Sequence, residues 1–437
     1  MQRGKAFVFW SIFLVLTACS SDDSYREKVQ DPVYLDQALD KLTEIIVYDI
    51  FSPPVASRIY AYASIAGYET VRLANPEQES LVGTIAQLEA LPQAMSDKVD
   101  FNIAGVYAFA EVGKTLIFSE AKMDEFVAYL GEEYKRLGVP RKVLQHSIEY
   151  GQLVRQHIMD WAAKDNYNQT RTFPKFDIRE EDGRWQPTPP DYMEGIEPHW
   201  KEIRALTLDS SDQFTPPVPT QYDVSEGSPF YGEVMEVFET TNNLDDEQTE
   251  IAQFWDCNPY VSHHKGHVMF ATKKITPGGH WMGIAQLAAR KDSANILKTA
   301  KTFAYTSIAL FDGFISCWDE KYRSNLIRPE TVINKHIDED WTPLLQTPPF
   351  PEYTSGHSVI SSAAAIMLTS IYGDNFSFDD TVEMKYGLPM RSFNSFIEAS
   401  SEAAISRLYG GIHYMPAIKN GVEQGQALGR FVVDKLP

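Results

Sequence analysis

The chain of 437 residues, 43% hydrophobic and 12% aromatic with 25 glycines and 25 prolines, has the composition of a folded globular protein, long enough for one large domain or several smaller ones. Its 60 acidic against 39 basic residues leave a formal net charge of −21, a field that repels a polyanionic backbone and excludes nucleic acid as the main partner. Any anion site must therefore be a local cluster of Arg and Lys working against the overall field.

At the N-terminus Arg3 and Lys5 precede an apolar run over residues 6–16, too short to span a bilayer and suited to the core of a signal peptide. The run ends in Leu16-Thr17-Ala18-Cys19, which resembles a bacterial lipoprotein cleavage box: residues 1–18 are then a signal peptide and Cys19 the lipidated terminus. The competing explanation is an ordinary secretory peptide with an incidental cysteine. Residues 19–33 read as a polar tether, and the Ser-Asp-Asp that closes at Asp23 resembles the export signal of surface lipoproteins. No other run approaches about 18 consecutive apolar residues, so the expectation is an exported lipoprotein at the outer membrane or cell surface, touching the membrane through a lipid anchor only. Cys257 and Cys317 are too few for a disulfide framework, and neither has the surroundings of a nucleophile.

Apolar residues at three and four spacing predict helices over 34–51, 55–73, 99–118, 123–137 and 141–163. From about 166 to 243 the chain turns irregular and Pro-rich, and so long an excursion inside a helical protein is expected to form a functional wall rather than a linker. Helical periodicity resumes near Asp245. Its clearest stretch is the stripe Ile296, Ala300, Phe303, Ser307, Leu310, Phe314 and Trp318, with Asp292 or Ser293 as the expected cap. No period-2 strand of convincing length is present. The predicted fold is mainly α, a helical bundle forming one domain over 34–437.

Three short clusters carry chemistry. Residues 355–357 are Ser-Gly-His at the start of an apolar helix, where free N–H groups and the helix dipole favour an anion that glycine lets approach closely. Ser355 adds a hydroxyl donor and His357 a proton carrier titrating near neutrality. Upstream, Lys321 and Arg328 lie seven residues apart, on one face if helical, with Pro329 closing the segment. Downstream, Arg407 ends a helix whose stripe is Phe393, Ile397, Ala404 and Leu408, and Gly410 and Gly411 break it to bring His413 round. Singly these are a capping serine, a solvated face and a loop histidine. Together they supply three cations, backbone donors and two imidazoles for one tetrahedral oxyanion.

The spacing Lys-x6-Arg-Pro, Ser-Gly-His and Ser-Arg-x5-His, here Lys321 to Pro329, Ser355 to His357 and Ser406 to His413, resembles the signature shared by vanadium-dependent haloperoxidases and type-2 phosphatidic acid phosphatases. The likeness is sharpest over 245–435, and the long N-terminal part resembles the soluble haloperoxidases rather than the short membrane phosphatases. Trp318 and Phe350 resemble the haloperoxidase pocket wall, core packing being the competing explanation. Thr354 replaces the family's usual proline, which is expected to loosen the turn. Ala417 stands where an aspartate commonly orients the last histidine, so another acceptor, a main-chain carbonyl for example, must hold His413.

The resemblance implies that His413 bonds the vanadium of vanadate, that Lys321, Arg328, Arg407, Ser355 and the Gly356 N–H neutralise its oxygens, and that His357 handles the peroxide proton while Lys321 polarises the oxidant. The substrates are then hydrogen peroxide and a halide, with a small organic acceptor for the hypohalous product. The alternative is an acid phosphatase in which phosphate takes the place of vanadate and His413 forms a phosphohistidine. A non-catalytic binding lipoprotein is the third reading. His263 and His267, four apart, are a weaker metal pair, because Pro259 and Gly266 argue against a helix there. Asp256 and His280 read as groups backing the site, with ordinary helix-end polar contacts the competing explanation.

Overall fold

A computed structural model describes residues 24–259, 261–265 and 268–437. The signal segment, Cys19 and the export signal lie outside them, as does His267. The tether is shorter than the sequence suggests: α1 (Tyr25–Lys28) buries Tyr25, and Val29 beside it is buried too. An apolar pair inside a polar stretch is enough to dock it.

The first half of the chain is a bundle of α2 (Val33–Tyr48), α3 (Pro53–Val71), α4 (Phe101–Leu116), α5 (Glu120–Arg136) and α6 (Arg141–Ala162), close to the predicted spans. Helix α3 is buried along its whole length, between α4 and the long helix Ile296–Ser324 of the second half. The Pro-rich excursion begins with the single turn α7 (Tyr167–Thr170) and ends in a helix the sequence reading missed, α8 (Pro229–Asn242), capped by Ser228 with Pro229 in its first turn. Asp245 then caps α9 (Asp246–Phe254) through a capping box with Gln248. The next segment is a hairpin of β1 (Val261–Lys265) and β2 (Val268–Thr272), so the backbone around His263 is extended and provides no helix face to pair it with His267.

The second half contains α10 (Pro277–Lys291), α11 (Ile296–Ser324), α12 (Pro329–His336), α13 (Gly356–Tyr372), a small ribbon of β3 (Phe378–Asp380) and β4 (Arg391–Phe393), α14 (Phe396–Tyr409) and α15 (Met415–Lys435). The cap of α11 is Asn295, which accepts from the Lys298 N–H; Asp292 instead ends α10. Phe393 belongs to β4 and packs on Phe378 rather than extending the α14 stripe. One continuous apolar cluster runs from Tyr25 to Leu436 across both bundles.

Helix α13 is buried on nearly every side, against α11, α14 and α15. Its contact with α15 is backbone to backbone: a Cβ on Gly425 would meet the Val359 carbonyl oxygen at 2.1 Å, and one on Gly421 would lie 3.1 Å from the Ser355 carbonyl oxygen. The seam sets the position of the first turn of α13, where Ser-Gly-His stands.

Candidate active site

A cavity of 510 Å³ lies between the halves, lined among others by Gly356, His357, Arg407, His413, Trp318 and Phe350. The irregular excursion forms part of its wall through Asp191, Met193 and Ile196. Ile196 is tied to the second half, since its carbonyl accepts from Tyr322 Oη at 2.6 Å and from Trp318 Nε1 at 3.3 Å.

Lys321 and Arg328 do not share a helix face. Helix α11 ends at Ser324, Asn325 takes a left-handed conformation (φ 49°), and Arg328 caps α12, which Pro329 opens rather than closes. The turn nevertheless brings both cations beneath the Phe350 ring, each 5.0 Å from its centroid. Both are buried and held by main-chain carbonyls. Lys321 Nζ donates to the carbonyls of Pro351, Glu352 and Thr354 at 3.1, 3.0 and 2.5 Å. Arg328 donates from Nε to Phe350 (2.9 Å) and from Nη1 to Ile412 (2.8 Å), while Nη2 has no partner among the described residues. Burial pushes Lys321 down to about 8 and Arg328 down to about 10.

Ser355 caps α13: its Oγ accepts from the Ser358 N–H at 3.3 Å, leaving the hydroxyl proton to donate. The turn before it is not loosened by Thr354, whose hydroxyl donates to Gln424 Oε1 at 2.7 Å while Gln424 Nε2 donates to Ser316 Oγ at 3.0 Å. His357 faces the cavity. Its Nε2 has no partner among the described residues, and the Trp255 carbonyl near the ring favours a proton on it. Burial first, then Arg407 and His280, hold its pKa well below the ordinary value, so the ring is neutral and basic at Nε2.

Arg407 stands in the last turn of α14. Its Nη2 donates to the same Trp255 carbonyl at 2.7 Å and its Nε to Ser406 Oγ at 2.9 Å, and burial lowers its pKa. Gly411, at φ 77°, turns the chain so that His413 enters the cavity. The acceptor that Ala417 cannot supply is the Glu352 carboxylate, not a main-chain carbonyl: Oε1 accepts from His413 Nδ1 at 2.8 Å and from the Tyr414 N–H at 3.0 Å. The His413 Nε2 lone pair is therefore aimed inward, 3.2 Å from Arg328 Nη1. Burial, then Arg328 and Lys321, keep this imidazole neutral as well. Glu352 is pushed up to about 7 by its burial.

The sequence reading missed Glu352, whose signal was a carboxylate inside the Pro- and aromatic-rich approach to Ser355, and the Trp255 carbonyl, which has no sequence signal. Asp256 lines the cavity and pairs with Lys274 at 2.6 Å, while His280 lies behind the wall with its ring stacked on Trp255 at 4.7 Å.

Residues 301–437 match the model of the VCPO second helical-bundle domain. A solved structure described as the first bacterial vanadium-dependent iodoperoxidase is 52% identical, covers 93% of this chain and 97% of its own, and superposes with a TM-score of 0.89. Holo and apo forms of a bacterial vanadium-dependent chloroperoxidase, 17% and 16% identical, share the fold with TM-scores of 0.67 and 0.66, over 89% and 88% of this chain and 93% and 94% of theirs. No curated protein matches the chain. The chain belongs to the vanadium-dependent haloperoxidases. The phosphatase and binding-protein readings of the signature are thereby set aside. The donor set fits vanadate: a buried guanidinium nitrogen of Arg328 without a partner among the described residues, a His357 Nε2 likewise without one, a neutral His413 whose Nε2 meets Arg328 Nη1, and three buried cations around them.

Proposed function

We propose that His413 and His357 are the working imidazoles of this haloperoxidase and that Lys321, Arg328, Arg407, Ser355 and the Gly356 N–H form its oxyanion cradle. What supports the assignment is the convergence of His357, His413 and Arg407 on one cavity, with His357 Nε2 without a partner among the described residues and Arg328, one nitrogen of which is also unpartnered there, against His413 Nε2. The enzyme uses vanadate, hydrogen peroxide and a halide, in the net reaction of peroxide, halide and a proton to hypohalous acid and water. Bound vanadate supplies a Lewis-acid centre at which peroxide is activated. His413 contributes the Nε2 lone pair, and Glu352 keeps the proton on Nδ1 so that this lone pair stays available. His357, neutral and open at Nε2, accepts the peroxide proton and returns it to the departing oxygen. Arg407 and Lys321 stabilise negative charge on the oxidant in a site shielded by Trp318 and Phe350.

The halide proposed is iodide, supported by the 52% relative described as an iodoperoxidase and by a wall rich in Phe, Trp and Pro, which suits a large, weakly hydrated anion. Apoprotein reconstituted with orthovanadate should oxidise iodide with peroxide far faster than bromide or chloride; equal rates with bromide would overturn the assignment. A small organic acceptor is the proposed destination of the halogen.

The proposed location is the outer membrane or cell surface, with a lipid on Cys19 after removal of residues 1–18. The Leu-Thr-Ala-Cys box supports it, and no described helix is long and apolar enough to cross a membrane. The full chain should partition into detergent and incorporate labelled fatty acid, and Cys19→Ser should do neither. Labelling that persists in Cys19→Ser refutes the anchor.

A further inference from the structure

Behind the cavity wall, apart from the oxyanion cradle, three metal-binding atoms meet. Cys257 Sγ lies 3.5 Å from His280 Nδ1 and 3.9 Å from Glu383 Oε1, and the last two are 3.1 Å apart. All three side chains are buried, and Cys257 has no disulfide partner among the described residues. They come from three separate segments: the link after α9, the first turn of α10, and a 3-10 turn at Val382–Tyr386.

The spacing is that of a coordination shell. Zinc bonds sulfur at about 2.3 Å and nitrogen or oxygen at about 2.0–2.2 Å, and tetrahedral angles then set neighbouring ligand atoms roughly 3.3–3.6 Å apart. Two of the three separations come close to that range, and the third closes with a shift of a few tenths of an ångström by the Glu383 carboxylate. The outer contacts complete the pattern. His280 Nε2 is 2.7 Å from Asp380 Oδ2, and Asp380 Oδ1 is itself fixed by the Val382 N–H at 3.0 Å. A carboxylate on the far nitrogen holds a ligating histidine in the tautomer that offers its other lone pair to the metal. The Trp255 ring, 18° from parallel, fixes the plane of the imidazole.

We propose that Cys257, His280 and Glu383 form a zinc site, with Asp380 orienting His280 and water taking the fourth position from the side on which Cys257 borders the cavity. A thiolate and a carboxylate neutralise the dication, and the mixed sulfur, nitrogen and oxygen set in a four-coordinate space selects zinc over calcium or magnesium. The site clamps Trp255 from behind. Because the Trp255 carbonyl holds Arg407 at 2.7 Å, the ion braces the oxyanion cradle without touching it. Without an ion, His280 lies between the Asp380 and Glu383 carboxylates at 2.7 and 3.1 Å.

The test uses the full chain. Protein purified without chelator and dialysed should carry about one zinc per chain by mass spectrometry of the metal. After chelation, cobalt(II) uptake should give a thiolate-to-cobalt charge-transfer band that Cys257→Ser abolishes. Asp380→Asn keeps all three ligands and should bind zinc about 10–100-fold more weakly. Wild-type protein that takes up neither ion, or that takes up cobalt without the thiolate band, overturns the proposal, as does a band that survives Cys257→Ser. The wild-type measurement decides even if a variant fails to fold, and none of these readouts depends on vanadate.

Discussion

Arg58 in the first bundle and Arg328 in the second are both buried, yet their surroundings differ in kind. Arg58 Nε donates to Asp165 Oδ2 at 2.7 Å, that oxygen also accepts from Tyr62 Oη at 2.8 Å, and the guanidinium lies over the Tyr62 and Tyr167 rings at 4.9 and 4.4 Å. Arg328 meets carbonyls and a neutral imidazole, and one nitrogen has no partner among the described residues. A buried charge with a full counterion is scaffold, whereas one left short of a counterion is set to receive an anion. The second bundle thus carries an electrostatic deficit that ligand binding removes.

The hardest way to break the site half alone is His413→Ala. Halide oxidation should fall to background and vanadate should no longer raise the melting temperature, while the apoprotein stays folded by circular dichroism. Next, Arg58→Met strands the Asp165 carboxylate and should cost about 3–5 kcal/mol in urea denaturation, with the vanadate Kd of the folded protein unchanged. Arg328→Met should do the reverse. Vanadate binding weakens by about 1.5–3 kcal/mol, read by titration, and apoprotein stability holds or rises because an uncompensated charge is gone. If Arg328→Met destabilises the apoprotein as much as Arg58→Met, the contrast between the bundles fails. Glu352→Ala should weaken vanadate binding about 10–100-fold, and Glu352→Gln, which retains an acceptor for His413 Nδ1, by less.

The smallest effect sharpens the contrast through pH. Burial raises Glu320, one residue before Lys321, from 4.5 to about 7 against the pull of Arg323. A raised folded-state value means the folded chain holds the proton more tightly. The stabilisation is complete below 4.5 and is lost as pH rises through about 7. Between pH 5 and 6 the wild type should therefore lose about 1 kcal/mol more than Glu320→Gln in denaturant titrations. Identical slopes would mean that this carboxylate is solvated.

Helix positions were legible in α2, α5 and α6 because their burial follows a helical period, and in α3, α4 and α11, buried on nearly every side, because long apolar runs carry no strand alternation. Caps were less so: Asn295, Asp292 and Ser293 are all capping residue types, and only the backbone decides among them. The sequence grouped Lys321, Arg328, Ser355, Gly356, His357, Arg407 and His413 by their spacing, and the fold sets His357, Arg407 and His413 around one cavity with Lys321 and Arg328 beneath Phe350 in its wall. It misjudged how the first pair meets, since a left-handed Asn325 is invisible to helical counting. Helix α8 was lost in a Pro-rich context whose prolines also open helices. Glu352 was passed over because, with Ala417 at the usual position, the acceptor for His413 was sought in a main-chain carbonyl rather than in a distant carboxylate.

All three cradle cations are tied down by peptide oxygens, those of Phe350, Pro351, Glu352, Thr354 and Ile412 for Lys321 and Arg328, and that of Trp255 for Arg407. Every amino acid carries that oxygen. Replacing the side chains of these residues, the Phe350 ring excepted, removes none of the cations' anchors so long as the backbone keeps its path. The lining of the pocket is thus free to drift, and with it the preference for one halide or acceptor over another, while the charged floor beneath it persists. A library varied at positions 193 and 196, away from the rings that cover Lys321 and Arg328, samples new selectivity with the cations' carbonyl anchors kept.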